Sequence, residues 1–371
     1  DTDHDGLPDA WELENGRDPS VADYMVSAGI YHTCALDDTG VVCWGRDYEG
    51  QSTVPELINP AQVSAGSEHT CALDDTGVVC WGSNVRTQST VPELINPAQV
   101  SAGSEHTCAL DDTGVVCWGS NARTQSTVPE LINPVQVSAG QYHTCALDDT
   151  GVVCWGDNPD GETTVPELPL SLVLLQVSAG GAHTCALHDS GVQGLYQTFA
   201  VCWGQNVRTQ STVPELINPV QVSAGQYHTC ALDDTGVVCW GDNPDGETTV
   251  PELINPVQVS AGGAHTCALD DTGVVCWGQN VRTQSTVPEL INPAQVSAGR
   301  YHTCALDDTG VVCWGDNSNG QITIPNLVID PDGDGYQGLF DALRLDSSEH
   351  LDTDSDGIGN NADADDDNDG V

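Results

Sequence analysis

The first residues, Asp1-Thr2-Asp3-His4-Asp5-Gly6-Leu7-Pro8-Asp9-Ala10-Trp11-Glu12, set carboxylates at positions one, three, five, nine and twelve of a short loop. Oxygen ligands at that spacing wrap Ca²⁺, with glycine at the sixth position for the sharp turn and a backbone carbonyl at the seventh. Asp1, Asp3, Asp5, Asp9 and Glu12, with the carbonyl of Leu7, are candidate calcium ligands. So many carboxylates this close repel one another strongly without a cation. The far end of the chain repeats the device. Asp330, Asp332, Asp334 and Asp341 form a second loop, in which Gly338 stands at the ninth position. Asp352, Asp354, Asp356 and Asp363 form a third, and Asp365, Asp367 and Asp369, with Gly370, begin a fourth. Calcium is the expected cofactor. A disordered acidic spacer is the competing reading of the same composition.

Cysteine supplies the second chemistry. Sixteen cysteines fall into eight local pairs: Cys34-Cys43, Cys71-Cys80, Cys108-Cys117, Cys145-Cys154, Cys185-Cys202, Cys230-Cys239, Cys267-Cys276 and Cys304-Cys313. If Asp37-Asp38-Thr39-Gly40 is a hairpin turn, Leu36 faces Val41 and Cys34 faces Cys43. Residues so opposed lie roughly 4.5–5.5 Å apart at Cα, within reach of a disulfide. The fifth hairpin is eight residues longer, yet Cys185 and Cys202 still bracket its loop. The rivals are buried free thiols, or a His-x-Cys…Cys metal site such as His32, Cys34 and Cys43. Adjacent opposed strands leave little room for a tetrahedral ion, so disulfides and an oxidising compartment are expected.

These groups sit in a repeat. VSAGxxHTCAL recurs with its histidine at His32, His69, His106, His143, His183, His228, His265 and His302, mostly at intervals of 37 residues. A period of this size marks units that bury their apolar faces against neighbours. In the second copy, Ala61-Gln62-Val63-Ser64-Ala65, His69 to Leu73 and Val78 to Trp81 read as short strands separated by Gly and Asp clusters. Pro92 and Pro97 exclude a central strand from the connection that follows. The expected fold is all-β: a closed propeller of eight short blades of about three strands each, with acidic calcium-binding loops at both ends. Ile322-Thr323-Ile324 is available to meet Tyr24-Met25-Val26 where the ring closes. The chain divides into a calcium-binding head (1–20), the array (21–329) and a calcium-binding tail (330–371). It reads as a trimmed piece of something longer.

VSAGxxHTCAL…GVVCWGxN…GQ resembles the repeat of the regulator of chromosome condensation propellers in shortened form. The GQSTVP or GETTVP run after Trp-Gly is similar to the three-stranded blades of the propeller-type β-lactamase inhibitor proteins. That family usually closes with seven blades, whereas eight hairpins are written here. The nucleotide-exchange role of its nuclear members is not carried over to so acidic and cysteine-rich a chain. DTDSDGIGNNADADDDNDGV and the head resemble thrombospondin type-3 repeats, as found in linkers and stalks of bacterial surface proteins. The resemblances imply a secreted or cell-surface protein of bacterial origin, with a monomeric propeller.

The 371 residues include 55 acidic against 8 basic, all arginine, for a net charge of −47. Phosphate binding draws on clustered Lys and Arg, so nucleic acid is excluded as a partner. No apolar run of about 18 residues offers a membrane span. An enzyme needs a unique constellation of acid, base or nucleophile, whereas polar residues here are copied around the array, so no catalytic residue is expected. The repeated histidines are read as packing or backbone hydrogen bonding between blades. The tryptophans, Trp44 and Trp81 among them, are read as inter-blade packing, with sugar stacking as the rival. The Asp-Asp of each hairpin tip is read as a solvated turn. An unidentified cell-surface protein is the expected partner, and a structural spacer or a glycan-binding propeller the alternative. The fifth unit departs from its neighbours twice, at Pro169 to Leu175 and in its longer hairpin. Leu195, Tyr196 and Phe199 of that hairpin are the candidate partner patch.

Overall fold

The computed structural model describes residues 25–37, 40–167, 173–189, 197–307 and 310–324. The head and tail, and with them every candidate calcium ligand, lie outside the described residues. So do Leu195 and Tyr196.

Eight three-stranded antiparallel sheets stand in a closed ring. In the second blade, the inner strand Gln62–Ala65 pairs with the middle strand His69–Asp74, which pairs with the outer strand Gly77–Gly82. The turn glycines explain the tight connections. Gly77 sits at φ 117°, a backbone that a side chain strongly disfavours, and it closes the Asp-Asp-Thr-Gly hairpin. At the other end of the blade, a Cβ on Gly66 would lie 2.6 Å from the carbonyl oxygen of Gly103 in the next blade. Glycine there lets neighbouring inner strands approach around a central channel.

The core lies between blades rather than inside them. Cys34, Leu36, Val41 and Cys43 of the first blade pack on Val63, Ala72 and Trp81 of the second. Each blade thus presents a disulfide-bearing face to the aliphatic and indole face of the next. All eight cysteine pairs are disulfides, each joining residues 4.1 Å apart at Cα on opposed strands. That separation is somewhat below the hairpin expectation.

The ring closes by the same contacts that join any two blades. Val26, Ala35 and Trp44 pack with Cys304, Leu306 and Val311, and Ile324 joins that cluster. The Val26 amide donates to Gln295 Oε1 at 2.8 Å, as the Val100 amide does to Gln62 Oε1. The expected closing segment therefore contributes Ile324, while Gln321 supplies the backbone carbonyl that accepts from Trp44 Nε1 at 3.0 Å.

The fifth blade differs. Its strands are longer, Val173–Ala179, His183–Asp189 and Thr198–Gly204, and a bulge between Leu174 and Gln176 extrudes Leu175.

Candidate interaction surfaces

Two buried layers hold the ring and place its two ends. In the first, each histidine reaches the next blade's threonine: His69 Nε2 lies 2.8 Å from Thr107 Oγ1, and His302 closes the circle with Thr33 at 2.7 Å. The threonine hydroxyl is committed elsewhere, since Thr107 Oγ1 donates to the Gln88 carbonyl at 3.1 Å. His69 must therefore donate through Nε2–H, which fixes its tautomer and leaves Nδ1 as a bare acceptor. Seven of these Nδ1 atoms are buried without a partner among the described residues. The histidines are neutral in the fold. Burial first, then neighbouring imidazoles His69 and His302, push His32 down to about 3 from 6.5, and burial lowers His69 to about 4. The histidines are packed between blades as expected, but their hydrogen-bond partner is a threonine side chain rather than the backbone.

The second layer is tryptophan. Trp81 and its equivalents are buried, and Trp81 Nε1 donates to the Gln51 carbonyl at 3.0 Å. Burial of all eight rings removes them as a sugar-stacking platform.

At one end of the ring, which we term the corner end, the Gly-x-x-His corner meets the loop after Trp-Gly: the Asp157 amide donates to the Tyr142 carbonyl at 3.0 Å. All six described arginines and all five described tyrosines lie here. They are largely spent on each other. Arg123 pairs with Asp157 of the next blade and stacks on Tyr142 at 4.3 Å. Arg208 does the same with Asp242 and Tyr227, and Arg282 with Asp316 and Tyr301. An Arg-Thr-Gln loop in one blade followed by a loop opening with Asp-Asn in the next, at Asp157, Asp242 and Asp316, thus encodes a cation and its anion. Arg46 pairs with Glu68 at 2.9 Å and lies over Tyr31. The corner ends of the inner strands surround a cavity of about 290 Å³, walled by alanine and glycine, with Arg300 at its mouth.

At the other end, the hairpin-tip end, the solvated-turn reading needs correction. Asp74 is buried, and its carboxylate accepts from the Ile58 amide at 2.9 Å and from Thr76 N and Oγ1 at 2.8 and 2.6 Å. Burial pulls its pKa upward, but the Thr76 hydroxyl and the Ile58 amide outweigh that and hold it below the usual carboxylate value. The first aspartate pins the incoming linker, and the second, Asp75, stays exposed and accepts from Asn59 Nδ2. Asp112, Asp149, Asp234 and Asp271 repeat this exposure. No described arginine reaches this end.

The linker also leaves isoleucine outward: Ile58, Ile95, Ile132, Ile217, Ile254 and Ile291 are 43–52% exposed. Where the inner strand opens, Val135, Leu175 and Val220 are exposed by 62%, 51% and 67%. The equivalent residues of the second, third and eighth blades are Ala61, Ala98 and Ala294. Phe199, the described member of the sequence-derived patch, is 45% exposed and stacks on His188 at 5.6 Å. Phe199 thus lies at the same end of the ring as Val135, Leu175 and Val220. The sequence reading did not single out Val135 and Val220, which share Asn-Pro-Val-Gln with the partly buried Val257 where other blades carry Asn-Pro-Ala-Gln.

A model of the regulator of chromosome condensation (RCC1) repeat matches residues 26–51, 61–88, 98–125, 135–162, 220–247, 257–284 and 294–321. The chain belongs to this repeat family. The fifth blade, with its bulge and longer hairpin, is the one the repeat model does not match. Among solved structures, the ectodomain of the Physcomitrella patens receptor kinase CR4 is 26% identical, with a TM-score of 0.52, covering 68% of this chain and 72% of that one. The CRINKLY WD40 ectodomain of the Arabidopsis thaliana receptor kinase ACR4 is 27% identical, with a TM-score of 0.51, covering 69% of this chain and 97% of that one. A comparison with curated proteins finds no match. No helix among the described residues is long and apolar enough to cross a membrane.

Proposed function

We propose that this chain is a secreted or cell-surface interaction propeller, non-catalytic, with its ring set between calcium-loaded acidic loops. The observation that carries this reading is the contrast between its ends. The corner end, although it exposes single valines such as Val85, Val207 and Val281, pairs its cations with carboxylates and aromatic rings, whereas the hairpin-tip end sets exposed aliphatic side chains of adjacent blades beside carboxylates that no described arginine reaches. Exposed apolar groups grouped on one rigid surface mark a site of association. Eight disulfides support a location outside the reducing cytosol. Two RCC1-like relatives being receptor ectodomains supports the same placement. Catalysis is disfavoured because, among the described residues, the polar side chains repeat from blade to blade and none forms a unique acid–base or nucleophilic group.

A photo-crosslinking amino acid in place of Ile217 at the hairpin-tip end should trap a surface protein of the producing cell or its neighbour. The same group in place of Val207, 80% exposed on the corner end, should not. Equal labelling from both positions, or from neither, would favour a purely structural spacer. For the flanks, calorimetry on EGTA-treated chain should show calcium binding at roughly 10⁻⁴–10⁻³ M. The substitutions Asp3→Ala and Asp5→Ala together should remove one binding event; an unchanged heat would contradict the head site.

A further inference from the structure

The aliphatic residues at the hairpin-tip mouth are contiguous. The Val177 amide donates to Gln136 Oε1 and the Val222 amide to Gln176 Oε1, each at 2.8 Å, so inner strands of blades four, five and six lie side by side. Val135, Leu175 and Val220 each stand one residue before the first glutamine of their inner strand, Gln136, Gln176 and Gln221. They therefore form one arc across three consecutive blades, and a bulge in the middle blade pushes Leu175 out into it. Ile132 and Ile217 of the adjoining linkers, both about half exposed, extend the arc outward. Around it stand the exposed carboxylates of Asp149, Asp234, Glu130 and Glu215. The first two hold only the side-chain amides of Asn133 and Asn218, and no described arginine lies at this end.

We propose that this arc docks a cationic amphipathic segment of a partner protein, whose aliphatic face covers Val135, Leu175 and Val220 while its lysines or arginines reach the surrounding carboxylates. Charge complementarity selects this occupant. A chain of net charge −47 draws in a basic partner at long range and repels an acidic one, which includes a second copy of itself. The apolar arc then supplies what charge alone lacks, a fixed place on a ring whose acidity is repeated in every blade. Exposed valines and a bulged leucine on blades four to six, against alanine on blades two, three and eight and a partly buried Val257 on blade seven, give the ring a direction. This inference rests on the reading of the chain as a protein-interaction module.

The test uses the full chain with calcium and a fluorescent 18-residue leucine–lysine amphipathic peptide, read by anisotropy at physiological salt. Binding is expected, with no binding of a leucine–glutamate peptide of the same pattern. V135S/L175S/V220S should weaken the leucine–lysine peptide tenfold or more, and R123A at the corner end should leave it unchanged. V135A/V220A, which installs residues the ring already carries at the same place in other blades, should weaken it severalfold and guards against misfolding of the serine variant. Unchanged affinity in both arc variants overturns the proposal. Equal binding of a glycine–lysine peptide also overturns it, because charge alone would then suffice. Crosslinks from Ile217 to a partner, with no peptide binding, would keep the interaction role and remove this class of partner.

Discussion

The two ends of the ring are built from the same repeat yet treat their polar groups in opposite ways. At the corner end, a cation of one blade meets a carboxylate and a tyrosine ring of the next, as with Arg123, Asp157 and Tyr142. At the hairpin-tip end, buried aspartates such as Asp74 and Asp111 are turned inward to hold a linker, and their exposed neighbours meet no described arginine. The difference shows where the propeller spends its charged and aromatic groups on itself, and it is the ground for the proposal that the other end meets a partner. Between the ends, the histidine–threonine layer and the disulfides make the ring stiff enough for that difference to persist.

Acid should break the ring between its ends with the largest effect. The histidines ionise near 6.5 when unfolded but only at about 3 to 4 in the fold, as for His106 and His228. The unfolded chain therefore binds more protons below pH 6.5. Stability should be level above that value and fall as pH drops toward 4, by about 1.4 kcal/mol per pH unit for each participating histidine. Denaturant midpoints between pH 4 and 8 check this; a flat profile would contradict the neutral buried layer. The pinned aspartates, such as Asp111, whose pKa lies below normal because the Thr113 hydroxyl and Ile95 amide outweigh burial, add their loss only at still lower pH.

Removing one staple comes next. Cys145→Ser with Cys154→Ser should cost roughly 2–3 kcal/mol, the scale of a short closed loop, by thermal or denaturant unfolding. Thr107→Val should leave His69 Nε2–H without an acceptor in a buried site, a loss of about 1–3 kcal/mol. Arg123→Ala at the corner end is the smallest, about 0.2–1 kcal/mol, because the pair is partly exposed and screened. A corner-end loss as large as that of Thr107→Val would mean that the self-pairing matters more than described here.

Much of this ring could be read in its residues. The spacing of Cys34 and Cys43 around Asp-Asp-Thr-Gly is local, and pairing across a hairpin follows from strand alternation. The eightfold His-Thr-Cys run likewise announces its blades. The partner of each histidine could not be read, because Thr107 is 38 residues from His69 and its role depends on how one blade seats on another. The buried aspartate was misread for a similar reason: an Asp-Asp pair at a turn looks solvated until a linker 16 residues earlier folds back onto it. The hairpin insertion after His188 drew attention in the sequence. The smaller change from alanine to valine at 135 and 220 counts only once three inner strands are seen side by side.

The central claim is that the ring's two ends are unequal and that the hairpin-tip end is the one that binds. Hydrogen exchange on the full chain, with and without the leucine–lysine peptide, tests it most directly. The account predicts slowed exchange in the linkers and inner-strand starts around residues 130–137, 175–178 and 215–222, with none around 121–126 or 141–143. Protection confined to the corner-end segments, or spread evenly over all eight blades, would contradict it.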